Sequence, residues 1–167
     1  MRFALSLVFS LFCINCWSQQ DEQKEVGKTI ERFLYVLSFP DSSSMQIDSL
    51  PALFTSDGKL VANSGKKPFI YTVPQYVESI RSSVRSGQLY SSRERELARK
   101  VDVFGNIAHV LSTYELTMVG KEGAIVRRGL NSIQLLKQDG KWLICSLIWD
   151  RERNELKLPA KYLPEGQ

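Results

Sequence analysis

The last third of the chain holds three strand-like segments joined by very short turns, and this pattern constrains the fold more than any other feature. The segments cover residues 105–119, 124–138 and 141–152. Between them lie Gly120-Lys121-Glu122-Gly123 and Asp139-Gly140, which carry the glycines that tight hairpins need. The sequence therefore predicts an antiparallel meander that closes the domain.

Helical periodicity dominates the part of the chain before the meander. Apolar residues recur three and four apart over residues 21–38 and again over residues 73–86, which predicts two amphipathic helices. A shorter helix is predicted over residues 47–54, followed by a turn at residues 55–58 and a short strand over residues 59–63.

From Leu89 onward the apolar period changes to two, and it stays so as far as Trp149. Together with the preceding helices, this order predicts an α+β domain. The helices are expected to pack on one face of a sheet of four long antiparallel strands.

The N-terminus has the pattern of a secretory signal peptide. Arg2 precedes an apolar run that ends at Ile14, which is shorter than the roughly 20 residues needed to span a bilayer. Small side chains at Cys16 and Ser18 suit cleavage before Gln19. We therefore expect a signal peptide at residues 1–18, one domain at residues 19–167, and export to the periplasm or the medium. A lipoprotein acylated at Cys16 and a buried first helix are the alternatives.

Composition excludes several classes of function. The 22 basic and 18 acidic residues are interleaved around Glu94 and Glu96, so no one-signed surface for nucleic acid is expected. His109 is the only histidine, which excludes a multi-histidine metal site, and no Rossmann or phosphate-loop motif predicts a cofactor. Cys145 alone would survive cleavage, so no disulfide framework is expected. No other apolar run is long enough for stable membrane insertion.

The last strand predicts a partner. Leu143, Leu147 and Trp149 alternate with Trp142 and Ile148, so both faces of this strand read as apolar. An antiparallel sheet with one solvated face should instead alternate apolar and polar residues. A second copy of the chain would bury the second face, which predicts a homodimer.

Three segments resemble the nuclear transport factor 2-like superfamily, which shares a cone-shaped fold with SnoaL-like cyclases and ketosteroid isomerases. They are LPALFTSDGKLV (residues 50–61), VFGNIAHVLSTYEL (residues 103–116) and QDGKWLICSLIWDRE (residues 138–152). The segment RGLNSIQLLKQDGKW is similar to secreted bacterial members. The resemblance covers the predicted mature chain and implies a curved antiparallel sheet packed on N-terminal helices.

The resemblance implies a pocket inside the cone but no defined chemistry. The position of the isomerase base falls near Ala62, where there is no carboxylate, so the isomerase mechanism does not carry over. For an acid of the SnoaL-like type the candidates are Glu96, Asp102 and Glu115. We expect an exported module that binds a small hydrophobic ligand. The alternatives are an acid–base enzyme and a structural or partner-binding domain with a filled pocket.

The predicted pocket residues fall into two groups. The aromatic candidates for its walls are Tyr35, Tyr76, Tyr114 and Trp149. The polar candidates Arg128, Asn131 and Gln134 lie on an apolar strand, so they either bond across the sheet and the dimer interface or contact a ligand.

His109 and Cys145 are not predicted to line the pocket. We place His109 on the dimer or solvent face of its strand, opposite the more apolar face. Cys145 reads as an inert thiol of the core.

Arg128 has two predicted partners, a ligand anion or Glu115 of the preceding strand. The turn at residues 120–123 places Val119 near Ala124 and Glu115 near Arg128, and opposed residues of an antiparallel pair point to the same face. The favoured interpretation is a structural Glu115–Arg128 ion pair.

Mass spectrometry of the exported protein should find Gln19 or Gln20 as its first residue, without lipid, because small side chains precede this bond. An intact Met1 or a diacylated Cys16 would contradict the predicted leader.

Overall fold

A computed structural model describes residues 4–164, with side chains described for residues 19–164. The regular elements are α1 (Ala4–Leu37), β1 (Phe54–Ala62), β2 (Phe69–Thr72), α2 (Val73–Arg85), β3 (Ser91–Phe104), β4 (Ile107–Gly120), β5 (Gly123–Gln138) and β6 (Lys141–Arg151). Short 3-10 helices cover Ser42–Ser44, Ile47–Leu53 and Ala160–Tyr162.

The six strands form one curved sheet in the order β2-β1-β6-β5-β4-β3. β1 runs parallel to β6, and every other pairing is antiparallel. Helix α1 packs mainly against β3 and also touches β6, so one face of the sheet curls around the core and is called the concave face here. The α+β fold and the meander of four long strands are confirmed.

Both long helices are amphipathic, as the spacing of their apolar residues predicted. The α1 side chains Val26 and Ile30 are fully buried against the sheet. α2 begins with a capping box, in which the side chains of Thr72 and Gln75 each bond the other's backbone N–H. After the helix ends, the chain changes direction at Gly87, whose φ of 70° favours glycine.

α1 runs without a break from Ala4, so the predicted cleavage site falls within it. The side chains of the predicted leader lie outside the described residues, and the leader stays a prediction. In the region with described side chains, no helix has the length and apolar character that crossing a membrane requires.

The first sheet region differs from the prediction. Phe54 pairs with Ile144 and Lys59 with Ser146, so residues 55–58 form an irregular bulge inside β1 rather than a turn before it. Asp57 therefore lies in a strand. The edge strand β2 was not predicted, because it has only four residues and lacks the alternation of a half-buried strand.

The last strand contains a bulge that corrects the prediction of two apolar faces. Leu135 pairs with Ile144 and Gln134 with Ser146, which leaves Cys145 as an extra residue in β6. A one-residue insertion reverses the alternation of side chains. Trp142 and Ile144 before the bulge and Leu147 after it are therefore all buried on the concave face.

This bulge removes the stated reason for a homodimer. Leu147 is 2% exposed and belongs to the core, whereas Ile148 beside it is 43% exposed on the convex face. Leu143, Leu147 and Trp149 do not share a face, so their apolarity does not require a second copy of the chain. Cys145 is partly exposed in the bulge rather than buried in the core as predicted.

The predicted hairpin register between β4 and β5 is confirmed. Val119 pairs with Ala124 and Glu115 with Arg128, and the Arg128 Nε donates to Glu115 Oε2 over 2.9 Å. Arg95 joins them, because its Nη2 lies 2.8 Å from Glu115 Oε1. The cluster lies on the convex face, where the Arg128 side chain is 45% exposed. The expectation that this guanidinium is buried within an apolar strand is therefore wrong.

The chain after β6 folds back onto the convex face. Thr113 Oγ1 donates to the Tyr162 carbonyl over 2.5 Å, and Thr113 is only 1% exposed beneath it. The C-terminal segment therefore covers part of the sheet surface that faces away from α1.

Candidate functional site

The concave face encloses a cavity of about 190 Å³ between the sheet, α1 and α2. Its walls are mainly apolar and aromatic, and a few polar groups converge on it. The lining residues are Phe33, Leu37, Leu60, Tyr76, Glu94, Tyr114, Leu116, Met118, Arg127, Asn131, Leu147 and Trp149.

Glu94 is the acidic residue of this lining. It lies on β3, paired with Leu116 of β4, and its Oε1 accepts a hydrogen bond from Asn131 Nδ2 over 3.3 Å. The pKa of Glu94 is raised to about 7, chiefly by burial; the hydrogen bond from the Asn131 amide opposes this shift, and the nearby Glu96 charge adds to it. A carboxyl group with this pKa is able to give and take protons near neutral pH.

Two tyrosines flank the carboxyl group. Burial, followed by the Glu94 charge, raises the pKa of both Tyr76 and Tyr114 above the ordinary range. Tyr76 packs edge-on against Trp149, with ring centroids 6.0 Å apart. Both hydroxyls are therefore protonated at neutral pH and can donate hydrogen bonds.

Arg127 brings a positive charge to the same cavity. Burial lowers its pKa, and the neighbouring Arg151 charge lowers it further. Between Arg127 and Asn131 on β5 lies Gly129, where an added Cβ would come within 2.5 Å of the Tyr114 Oη. The glycine therefore lets the Tyr114 ring lie across β5.

Four of the predicted pocket residues line the cavity, namely Tyr76, Tyr114, Asn131 and Trp149. Tyr35 is 52% exposed on the outer side of α1, where its Oη accepts from Gln46 Nε2 over 3.1 Å. Arg128 and Gln134 lie on the convex face, because their β5 positions have the opposite parity to Asn131. None of these three residues lines the cavity.

The three acids predicted as proton donors do not line the cavity. Glu96 forms a bidentate pair with Arg99 and accepts from Ser112 Oγ over 2.5 Å. Glu115 pairs with arginines on the convex face, and Asp102 lies 3.4 Å from Lys100. Ala62 of β1 pairs with Trp149 and supplies no carboxylate, so the acidic group enters the cone from β3 instead.

Glu94 and Arg127 were not predicted as site residues. Glu94 was considered only as one acid of a run of mixed charge, in which Arg93, Arg95 and Lys100 are the exposed members. No local signal marked Glu94, because Ser92, the buried residue that shares its face, is itself polar. Arg127 was passed over in favour of its neighbour Arg128.

A larger groove of about 490 Å³ lies on the convex face, beside Phe104, Ile107 and Gln134. His109 also lines it and its Nε2 lies 3.0 Å from Ser132 Oγ, so the predicted placement of His109 away from the cone is confirmed. The cone is the better candidate despite its smaller volume, because a buried carboxyl group, an amide and two tyrosines converge there. Among the described residues, no cluster of three His, Cys, Asp or Glu side chains is placed to hold a metal.

Solved structures resemble this fold at low sequence identity. A protein of unknown function from Mycobacterium tuberculosis is 19% identical, with 83% of this chain and 76% of that chain covered and a TM-score of 0.67. The hexachlorocyclohexane dehydrochlorinase LinA-type3 from Novosphingobium barchaimii LL02 is 10% identical, with 80% and 88% covered and a TM-score of 0.64.

A protein of unknown function with a cystatin-like fold, from Nostoc punctiforme, is 19% identical, with 77% and 89% covered and a TM-score of 0.54. No family model and no curated protein matches the sequence. Likeness at these identities establishes the fold alone. The chain shares with these structures an α+β fold in which a curved, mostly antiparallel sheet packs on helices, which is the fold expected from the sequence.

The Glu94 carboxyl group should titrate near pH 7 in carbon-13 NMR spectra, well above its ordinary value of 4.5. A raised folded-state pKa means that the ionised group destabilises the fold. The wild-type protein should therefore lose stability relative to Glu94→Gln as the pH rises from about 4.5 to above 7.

Glu115→Gln is the matched control, because Arg95 and Arg128 lower the pKa of Glu115. That substitution should cost stability above the ordinary pKa of a glutamate, and the loss should vanish in acid. A Glu94 midpoint at the ordinary value would contradict the assignment of a buried acid.

Proposed function

We propose that the chain is an acid–base catalyst that binds a small, largely apolar substrate in the cone and transfers protons through Glu94. The observation that carries the proposal is the Glu94 carboxyl group, which lines the cavity with its pKa raised to about 7 by burial. A general acid–base works best when its pKa is near the working pH. A carboxyl group in this setting is also typical of functional sites.

The cavity favours a compact substrate. Its volume of about 190 Å³ is below the roughly 300–1,000 Å³ of pockets that hold drug-sized ligands, so a single ring is the expected scale. Phe33, Tyr76, Tyr114 and Trp149 supply aromatic walls for such a ring.

The proposed reaction is a proton transfer within the substrate. The ionised Glu94 removes a proton from a carbon next to a carbonyl group, and the electron pair of that C–H bond moves onto the carbonyl oxygen. The hydroxyl groups of Tyr76 and Tyr114 donate hydrogen bonds to this oxygen while its charge develops. In a substrate with a C=C bond next to that carbon, Glu94 then returns the proton to the far carbon of this bond while the C=O bond re-forms, which gives an isomer with the C=C bond shifted and restores the carboxylate.

Ligand binding without chemistry is the second candidate function. The apolar walls support it as well as they support catalysis, since they require only a complementary ligand. In both cases we propose that the protein works after export, which rests on the signal-peptide pattern of residues 1–18.

Exchange of substrate protons into deuterated water tests the catalytic proposal without knowledge of the natural substrate. A panel of single-ring ketones is incubated with the protein and followed by proton NMR. The protein should accelerate exchange at the carbon next to the carbonyl group. Glu94→Gln should reduce the enzymatic rate by about 10²–10⁴-fold, the usual contribution of a general base.

Glu115→Gln serves as the control, because this carboxylate lies on the convex face and should leave the exchange rate unchanged. Exchange that persists in Glu94→Gln would refute the role of Glu94. Ketones that bind in thermal-shift assays without exchange would leave the binding module as the function.

We also propose that two copies pair through the convex face. Phe104, Ile107 and Ile148 support this, because they are 82%, 62% and 43% exposed on that face. Ile148→Asp should give a monomer in light scattering while keeping its melting temperature. Leu147→Asp is the contrasting control and should unfold the chain, because Leu147 is buried. A native protein that is monomeric at micromolar concentration would contradict the dimer.

A further inference from the structure

Two arginines, Arg127 and Arg151, lie on the concave face as diagonal neighbours, and neither is paired with a carboxylate in the part of the chain that the structure describes. Arg151 of β6 pairs with Gly129 of β5, and Arg127 lies two residues before Gly129 on the same face. Diagonal neighbours of this kind are about 7–8 Å apart, which long side chains bridge easily. The Arg151 charge lowers the pKa of Arg127, as expected when two like charges lie close together.

Neither guanidinium group has an acidic partner among the residues described. Of the two acids next to Arg151 in sequence, Asp150 pairs with Arg153 and Glu152 accepts a hydrogen bond from the Leu158 backbone N–H. Arg128 and Arg95 both pair with Glu115 on the convex face, whereas Arg127 and Arg151 pair with no carboxylate of residues 19–164. Guanidinium groups stay charged at all ordinary pH values, and pairing two of them in a partly buried site costs free energy unless an anion offsets it.

We propose that the ligand of the cone carries an anionic group, a carboxylate or a phosphate, which binds between Arg127 and Arg151. This inference rests on the proposed function, because it assigns the substrate class of the same cavity. The planar guanidinium group binds the two oxygens of such a group side by side, which adds direction to the attraction.

The spacing along β5 fits a ligand of one ring. Arg127, Gly129 and Asn131 follow one another on the concave face, and Asn131 holds Glu94. Four residues of strand measure about 13 Å, and the side chains at both ends reach inward. The Tyr114 ring fills the space over Gly129, so the body of the ligand would lie in the cavity against that ring. An anion at Arg127 would thus place the far end of the molecule at Glu94.

Isothermal titration calorimetry with three probes tests the proposal. Phenylacetate carries the carboxylate, phenylacetamide is its neutral match, and phenyl phosphate represents the other anion. The wild-type protein should bind at least one anionic probe ten or more times more tightly than the amide, and the preference should shrink with added salt. The stronger of the two anionic probes identifies the anionic group.

Variants locate the binding site. Arg127→Gln should lower the affinity for the anionic probe tenfold or more, while the affinity for the amide stays unchanged. Arg127→Lys should recover part of the anion affinity, because lysine keeps the positive charge but lacks the planar, two-donor geometry of the guanidinium group. Arg128→Gln is the matched control on the convex face and should leave both affinities unchanged. Melting temperatures of all variants establish that each one is folded.

Different results would refute the anionic ligand and the catalytic function. Equal affinity for the amide and the anions, or full anion affinity in Arg127→Gln, would overturn the anionic ligand and leave the cone as a binding site. If no probe binds while Glu94 still catalyses exchange in neutral ketones, the anionic ligand is again refuted and catalysis stands. If no probe binds and no exchange occurs, both proposals fail.

Discussion

The burial of one face of the sheet against α1 is the constraint on which the rest of the structure depends. β6 satisfies it only because Cys145 is inserted as a bulge, which keeps Trp142, Ile144 and Leu147 on the same side. Each fully buried side chain of this kind contributes roughly 1.5–3 kcal/mol. Without the bulge, Leu147 would face water on the convex side and the core of the cone would lose one of its walls.

A second bulge, in β3, places the Glu94 carboxyl group in the cavity. Glu96 pairs with Tyr114 and Ala98 with Thr113, so Leu97 is the extra residue in β3. The insertion puts Glu94 and Glu96 on the same face as Val103, whose side chain belongs to the core. The apolar residues hold β3 in this register, and the charged residues are carried inward with it. Glu96 is neutralised there by Arg99, whereas Glu94 has only the amide of Asn131.

The parts of the fold that the sequence predicted are those set by local patterns. The β4–β5 register followed from the glycine turn alone, and Glu115 meets Arg128 as expected. The parts that it missed depend on bulges, because an inserted residue reverses the alternation without leaving a glycine or proline to mark it. Cys145 and Leu97 are ordinary strand residues by type. This is why Leu147 was assigned to the wrong face and Glu94 was not predicted to line the cavity.

Gly129 connects the two charged ends of the cone. It lies between Arg127, which is the diagonal neighbour of Arg151, and Asn131, which donates a hydrogen bond to Glu94. Because it has no side chain, Tyr114 lies across it and separates the cationic end from the acidic end. A direct Arg127–Glu94 ion pair would have favoured the ionised carboxylate and lowered its pKa. By keeping them apart, the fold leaves Glu94 with a pKa near 7 and leaves the arginines free for another anion.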